Sequence, residues 1–538
     1  MTKGRNSDPI ATIDVRCDDI DVGGAADLER AIAETGYGTF NVLLLVAALP
    51  VAWSGIFDTT TTAFVLISIE CDLGATTLRK GVLASMPFLG MILGNVIWDR
   101  ANPCVATRNL FILSLLADAA LNVVSSAIDS YHAFLAIKFL TGILVAGPFS
   151  MVMQYLSEFH SAKYKASFAR WAGLAVNAAI ILPAALAFSI VPLSLDVEIF
   201  YRRYNSWRIY LLICSMVPLI GILTTSTLPH SPKYLVEIGR PDEALNLLRR
   251  MYSVNRWKSA DTFPIETLLG SRTARASRRS FFKENSERLR LACYNTKVLF
   301  SAPYLAGVSR LGFLQFGSSL AFHTMRLWVP HTFMIISNFN GDAWTEDRPP
   351  LLADLLDRRN SLAMKDYVRC PNLYDVCAMW TVNSPIYMKS TIIAFSTVVV
   401  AFLAGTVTNT EFQRKTVLLA AFLIPAGSGL GLNWVPDPPN ILTLAAAIIV
   451  AGKVASNVVD QVNVQVVPVP LRTTSVTVLS NLANVGAILG NCIFSALIDK
   501  QPVAAFVGIG ALMLVCFVLS FVLPGPIKAP KTVVGNCA

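Results

Sequence analysis

Charge is what this chain has least of. Only 15% of its 538 residues are Asp, Glu, Lys or Arg, while 54% are hydrophobic and the mean hydropathy is +0.55. A soluble globular domain carries about 25% charged residues, so this composition points to a membrane protein. Catalytic signatures are missing as well. The chain has no H-E-x-x-H, no G-x-x-x-x-G-K-(S/T) and no G-x-S-x-G, which argues against an enzyme and against an ATP-driven pump, and no cofactor is implied. It contains no N-x-S/T sequon, so N-glycosylation is not expected. The first 37 residues carry Asp14, Asp18, Asp19, Asp21, Asp27 and Glu29 with no apolar centre. No cleavable signal is therefore expected, and the first spanning helix should target the chain.

What is abundant is long apolar runs. Crossing about 30 Å of hydrocarbon takes roughly 20 helical residues, and twelve stretches qualify: 40–67, 81–98, 109–128, 133–157, 171–192, 208–228, 311–336, 388–407, 416–434, 440–462, 473–497 and 502–523. A transmembrane barrel would instead show ten-residue segments of alternating polarity. The fold class read from the pattern is an all-α membrane protein with two six-helix bundles, 38–228 and 311–525, preceded by an acidic tail (1–37) and followed by a short tail (526–538).

Between the bundles, residues 229–310 hold fifteen Lys or Arg and seven Asp or Glu, or +8 of the chain's +9 formal charge. The positive-inside rule places this loop in the cytoplasm, and Lys163, Lys165, Arg414 and Lys415 in shorter loops agree; both termini then lie there too. The loop lacks the aromatic interleaving of a nucleic-acid platform, so membrane lipids, not nucleic acid, are the expected partner. Within it, Leu245, Leu248 and Tyr252 repeat at helical spacing, which predicts an amphipathic surface helix. The other long loop, 337–387, faces the outside or a vesicle lumen. It holds Cys370 and Cys377, either a disulfide or two free thiols.

Charges inside the apolar runs are the functional candidates, because a charge facing mid-bilayer lipid costs at least about 2.5 kcal/mol. Lys453, Asn457 and Asp460 share one face of the tenth run. They either line a cavity or pair to hold the bundle. Asp58, in "WSGIFDTTTTAF", is a carboxylate able to hold a cation or proton. The threonines after it offer hydroxyls to a solute or return them to their own helix. His323 and Arg326, three residues apart before Pro330, suit titration or anion binding, or else a core histidine and a snorkelling arginine. Gly142, Gly147, Gly486 and Gly490 read as close-packing residues.

Several motifs carry a resemblance. "LPHSPKYLVEIGRPDEALNLL", "NSWRIYLL" with Arg208, "KFLTGILVAGPFSMVMQYLSEF" with Lys138, Tyr155 and Glu158, and "VVPVPLRTT" with Arg472 are together similar to signatures of the sugar and organic-ion transporters of the major facilitator superfamily. "TGYGTFNV" and "LWVPHTF" resemble its synaptic vesicle glycoprotein 2-like group, especially insect members. The resemblance implies secondary-active or facilitative transport of a small, charged organic solute by alternating access, coupled to protons or another ion, in the plasma membrane or a vesicle membrane. It implies that Asp58 lines the cavity, and that Lys138 serves coupling and Glu158 a latch or, equally, an interfacial anchor and a helix pair. The family's loop after the second span, G-x-x-x-D-R-x-G-R-R, is worn here to "WDRANPCVATRN", with Arg108 alone in place; its counterpart "TNTEFQRKT", containing Arg414, is worn too. That leaves open a different class, a transport-dead relative that binds a ligand or partner.

Overall fold

The computed structural model describes residues 25–101, 107–193, 195–199, 202–268, 294–339, 384–435 and 438–523. Every one of the twelve apolar runs is helical. The first half comprises α1 (Leu28–Thr35), α2 (Thr39–Leu73), α3 (Thr77–Ala101), α4 (Thr107–Ser126), α5 (Tyr131–Ser157), α6 (Ala162–Asn177), α7 (Ile181–Ile190), α8 (Ser206–Cys214) and α9 (Met216–Thr227). After α10 (Pro232–Glu237) and α11 (Pro241–Arg256), the second half holds α12 (Leu305–Phe339), α13 (Ser384–Val407), α14 (Glu411–Gly431), α15 (Pro438–Val466), α16 (Val469–Leu497) and α17 (Pro502–Ser520). Among the described residues, ten helical spans are long and apolar enough to cross a membrane, with α6–α7 and α8–α9 each counting as one. The other two, α12 and α14, occupy the expected places but carry polar residues such as Arg310, Gln315, His323, Arg326, Arg414 and Lys415.

Proline sets the internal breaks. Pro183 has no N–H to give the carbonyl four residues back, at Ala179, and the chain there tightens into a short 3-10 turn at Ala178–Ile180. Pro218 does the same to Cys214, where α8 ends. The fifth span also begins nine residues before the apolar run, because its first nine residues carry Lys163, Lys165 and Arg170, polar positions that hydropathy passes over but that a helix leaving the membrane tolerates.

Helices of the same half pack closely where glycine permits. A side chain on Gly90 would overlap the Phe139 carbonyl of α5, and one on Gly142 would overlap the Pro87 carbonyl of α3. Gly486 and Gly490 of α16 sit against Phe316, Leu320 and Thr324 of α12 in the same manner. The two halves meet along three seams: α2 with α12, α3 with α16, and α7 with α13.

The end of the molecule bearing α10 and α11 is built as a cap. α11 buries Leu245, Leu248 and Tyr252, as its periodicity predicts, against α1 and the start of α2. Part of the acidic N-terminal segment is thereby incorporated, since α1 lies on α11 and Ala25–Ala26 pair in parallel with Thr267–Leu268. Asn255 fastens this junction. Its Oδ1 accepts from the Phe40 N–H at 3.0 Å, and its Nδ2 donates to Asn41 Oδ1 at 2.9 Å. Asn41 in turn donates toward His160 Nε2 at 3.1 Å. Burial lowers the His160 pKa, consistent with a neutral ring that accepts from Asn41 and gives its Nδ1 proton to the Leu156 carbonyl at 2.8 Å.

Candidate functional site

Two groups of polar side chains lie inside the bundles. In the first half, α2, α4 and α5 bring together Asp58, Asp118, Asn122 and Lys138, which are 3%, 1%, 8% and 0% exposed. Asn122 Nδ2 donates to Asp58 Oδ1 at 2.9 Å and to Asp118 Oδ1 at 3.0 Å, so one amide nitrogen ties two carboxylates. Ser54 donates to Asp118 Oδ2 at 2.8 Å, and the Lys138 ammonium donates to Asn122 Oδ1 at 3.4 Å. Asp58 Oδ2 has no partner among the described residues. Two carboxylates sharing one nearby ammonium leave one negative charge to be met by a proton or another cation.

Asp58 and Lys138, from separate motifs, are thus members of one cluster. Asp118 and Asn122 complete it. Asp118 is a charge within the third apolar run, which the sequence reads as a residue bonded to a neighbouring helix and not as part of the site; the signal for Asn122 is its i, i+4 spacing from Asp118 on one helical face.

The second group lies across the boundary of the halves. A cavity of about 30 Å³, room for only a water molecule or so, is lined by Thr60 and Phe64 of α2, Phe322 and Arg326 of α12, and Ser390 and Thr397 of α13, with aliphatic side chains between them. The Arg326 guanidinium packs 5.1 Å from the Phe322 ring centroid, and the Lys453 ammonium of α15 lies 5.6 Å from the same centroid. His323 Nδ1 is 3.4 Å from an Arg326 nitrogen, and its ring meets Phe88 of α3 edge-on at 4.7 Å, a contact between halves. His323, Arg326, Lys453 and Asn457 are half-buried, whereas Asp460 is exposed. Of the sequence candidates Arg326 lines the cavity, whereas Asp58, His323, Lys453, Asn457 and Asp460 are not among its described lining residues. Thr60, on the cavity wall, donates to the Ile56 carbonyl at 2.6 Å and Thr59 to Gly55 and Ile56, so these hydroxyls are returned to their own helix.

The motif residues brace helices within one half. Arg108 donates to the Ser226 carbonyl at 2.6 Å. Arg208 pairs with Asp129 at 2.7 Å and donates to the Ser126 and Ile128 carbonyls. Tyr155 donates to the Pro229 carbonyl at 2.6 Å and Ser231 donates to Glu158, pinning the end of α5 to the segment before α10. Arg414 is buried at the start of α14, and Arg472 lies at the start of α16 with its Nε unpartnered among the described residues. Cys370 and Cys377 lie outside the described residues.

Burial raises the Glu158 pKa, and the Ser231 hydrogen bond only partly opposes this. A carboxyl whose pKa is higher in the folded state contributes stability below the unfolded value, and that stability is lost as pH rises through the folded value. Glu158→Gln keeps an acceptor for Ser231 and removes the titration. The variant is expected to match the parent in acid and exceed it at neutral pH in thermal unfolding followed across that range; a variant less stable at neutral pH would show that the charge itself is the stabilising feature.

One cluster had no counterpart in the sequence candidates. At the end opposite the cap, Lys80 of α3, fully buried, forms an ion pair with Glu70 of α2, and its Nζ lies 2.8 Å from His331 Nε2 of α12. This joins the halves. Tyr387 adds a bond to the Phe64 carbonyl at 3.3 Å there, and Ser85 reaches the Ile488 carbonyl at 3.3 Å. Nearer the cap, Asn95 donates to Asn481 at 2.7 Å.

The arrangement of two six-helix halves around a central cavity has solved counterparts. The partially occluded inward-open xylose transporter XylE from E. coli superimposes with a TM-score of 0.59 at 13% identity, covering 90% of this chain and 100% of that one. Its inward-open form gives 0.59 over 91% and 97%. The family profile described as "Sugar (and other) transporter" matches residues 45–300. Synaptic vesicle glycoprotein 2B of Rattus norvegicus is 28% identical over 237 residues, 43% of this chain and 34% of that protein; synaptic vesicle glycoprotein 2A of Homo sapiens is 28% identical over 235 residues, 43% and 31%.

The chain has the major facilitator fold and resembles the synaptic vesicle glycoprotein 2-like branch. Its match spans about a third of the length of those curated relatives. The cavity falls between the two bundles.

Proposed function

We propose that the protein carries a small organic solute across a membrane by alternating access, the halves rocking about the cavity at Arg326. The observation that carries this reading is the cavity itself, walled by α2 from one half and α12 and α13 from the other, so that relative motion of the halves must open or close it. The Lys80–Glu70–His331 cluster fits the reading as a gate: it joins the halves at the end away from the cap and must break when that end opens, while the Asn95–Asn481 bond joins them nearer the cap. The basic loop argues that this gate faces away from the cytoplasm and that both termini lie inside. A plasma or vesicle membrane suits such a chain.

Proton coupling is assigned to the Asp58–Asp118–Asn122–Lys138 cluster, whose charges do not balance without a further cation. Asp58 and the cavity-lining Thr60 lie on one helix, α2, but on different faces of it, so coupling between the cluster and the solute runs through movement of α2.

The test is accumulation in liposomes of a panel of organic ions, sugars and other metabolites, with and without a pH gradient. The parent is expected to accumulate at least one solute faster when the gradient is present, and Asp58→Asn to lose that dependence. Gradient dependence equal to the parent in Asp58→Asn would overturn the coupling role. No accumulation of any solute, with ligand binding retained, would favour a binding protein that no longer transports, the reading left open by the worn "WDRANPCVATRN" loop.

A further inference from the structure

The sign of the solute's charge can be read from the cavity wall. Among the described residues Arg326 is the one charged side chain that lines it, and none of the lining residues is acidic. Arg326 has no carboxylate within ion-pairing distance among the described residues, and its Nε is buried without a hydrogen-bond partner. Its nearest polar neighbour is His323, which offers only a ring nitrogen. Lys453 adds a second cation on the same Phe322 ring. The acid nearest to it on α15, Asp460, is two helical turns away and interacts with it electrostatically at long range, with no ion pair between them among the described residues. A guanidinium held at an apolar wall without its counter-ion costs several kcal/mol, a cost that a bound anion removes.

The rest of the wall limits what that anion looks like. Thr60, Ser390 and Thr397 already donate their hydroxyl protons to the Ile56, Ile386 and Ile393 carbonyls, at 2.6, 2.9 and 2.7 Å. They can accept a hydrogen bond but have no proton left to give. None of the described residues that line the cavity is Asn or Gln. A sugar, which needs donors and acceptors around its whole ring, is poorly matched; the wall between Arg326 and the hydroxyls is Phe64, Phe322 and aliphatic side chains. We infer that the solute is a small organic monoanion with an apolar body, its carboxylate or sulfonate held by the two outer nitrogens or the Nε of Arg326 and its body against Phe64 and Phe322. The cavity as it stands is too small for such a molecule, so binding takes place as the halves part. This assignment rests on the transport reading only for its consequence; the binding can be measured separately.

Benzoate is the probe, with benzamide, benzylamine and xylose as neutral, cationic and sugar controls, each titrated against the purified full chain in detergent by thermal unfolding and by intrinsic tryptophan fluorescence. Saturable binding of benzoate alone is expected. Arg326→Gln should weaken it at least tenfold, Arg326→Lys should recover part of the loss because the charge is kept and the fork is not, and Lys453→Gln should weaken it several-fold. Should Arg326→Gln fail to fold, the Lys453→Gln and Arg326→Lys arms carry the test. Saturable binding of benzylamine or xylose with none of benzoate, or benzoate binding unchanged in the folded variants, would overturn the assignment. Benzoate binding without uptake into liposomes would leave it standing and overturn transport, whereas uptake of a sugar with no benzoate binding would do the reverse.

Discussion

Replacing Lys138 with Met should unfold or disable the first half. The ammonium is fully buried between α4 and α5 and is the cation that faces Asp58 and Asp118. Removing it leaves two carboxylates on one amide nitrogen in a dry bundle. Breaking a buried charge group in this way costs about 3–5 kcal/mol, a large share of the about 5–15 kcal/mol that holds a typical domain folded. Lys138→Met should therefore show a strongly lowered unfolding midpoint and no gradient-driven uptake. Adding Asp118→Asn in the same chain removes one of the two stranded charges while keeping an acceptor for Ser54, and should restore much of the midpoint without restoring coupling. Additive losses in the double variant, measured as a double-mutant cycle, would show that the two residues do not act on one another.

The second large effect is expected at Gly142. Its α-carbon faces Pro87, whose own α-carbon would lie 2.9 Å from any Cβ placed there, and Gly90 faces Phe139 reciprocally. The pair lets the backbones of α3 and α5 touch. Gly142→Leu must push the two helices apart along the contact that also places Trp98, whose indole N–H donates to the Ile143 carbonyl at 2.7 Å. Overpacking costs about 1–3 kcal/mol where side chains can yield, and here the obstacle is backbone, so the loss should be at the upper end or beyond. Gly173→Leu is the control, because nothing lies within 4 Å of a Cβ there. In fluorescence-detected size-exclusion chromatography, Gly142→Leu should lose its monodisperse peak while Gly173→Leu keeps it. Equal profiles would mean that α3 and α5 can separate without penalty.

Particular residues show where sequence reasoning reached and where it stopped. Asp58 and Lys138 stood out singly, since a charge in an apolar run is conspicuous wherever it lies. That they share a cluster depends on α2, α4 and α5 converging, and Asp118 and Asn122 acquire meaning only through that convergence. Lys453 and Asp460 show the opposite outcome. Equal in sequence as charges on one helical face, they differ in the fold, where Lys453 reaches the Phe322 ring and Asp460 is exposed. Lys80, Glu70 and His331 carry no sequence signal, because Glu70 and Lys80 sit at the ends of spans, where charge is ordinary, and His331 is 251 residues from its partner.

The sequence by itself determined the solvent this chain lives in and the number and positions of its apolar runs. These follow from local quantities: the hydrocarbon thickness and the rise of a helix. Only the tertiary structure decided which charges meet, which face a cavity and which bind the halves together. The reason is geometric. Hydropathy fixes that a helix is buried among others, but its rotation about its own axis and the neighbour it touches are set by side-chain packing between residues hundreds of positions apart.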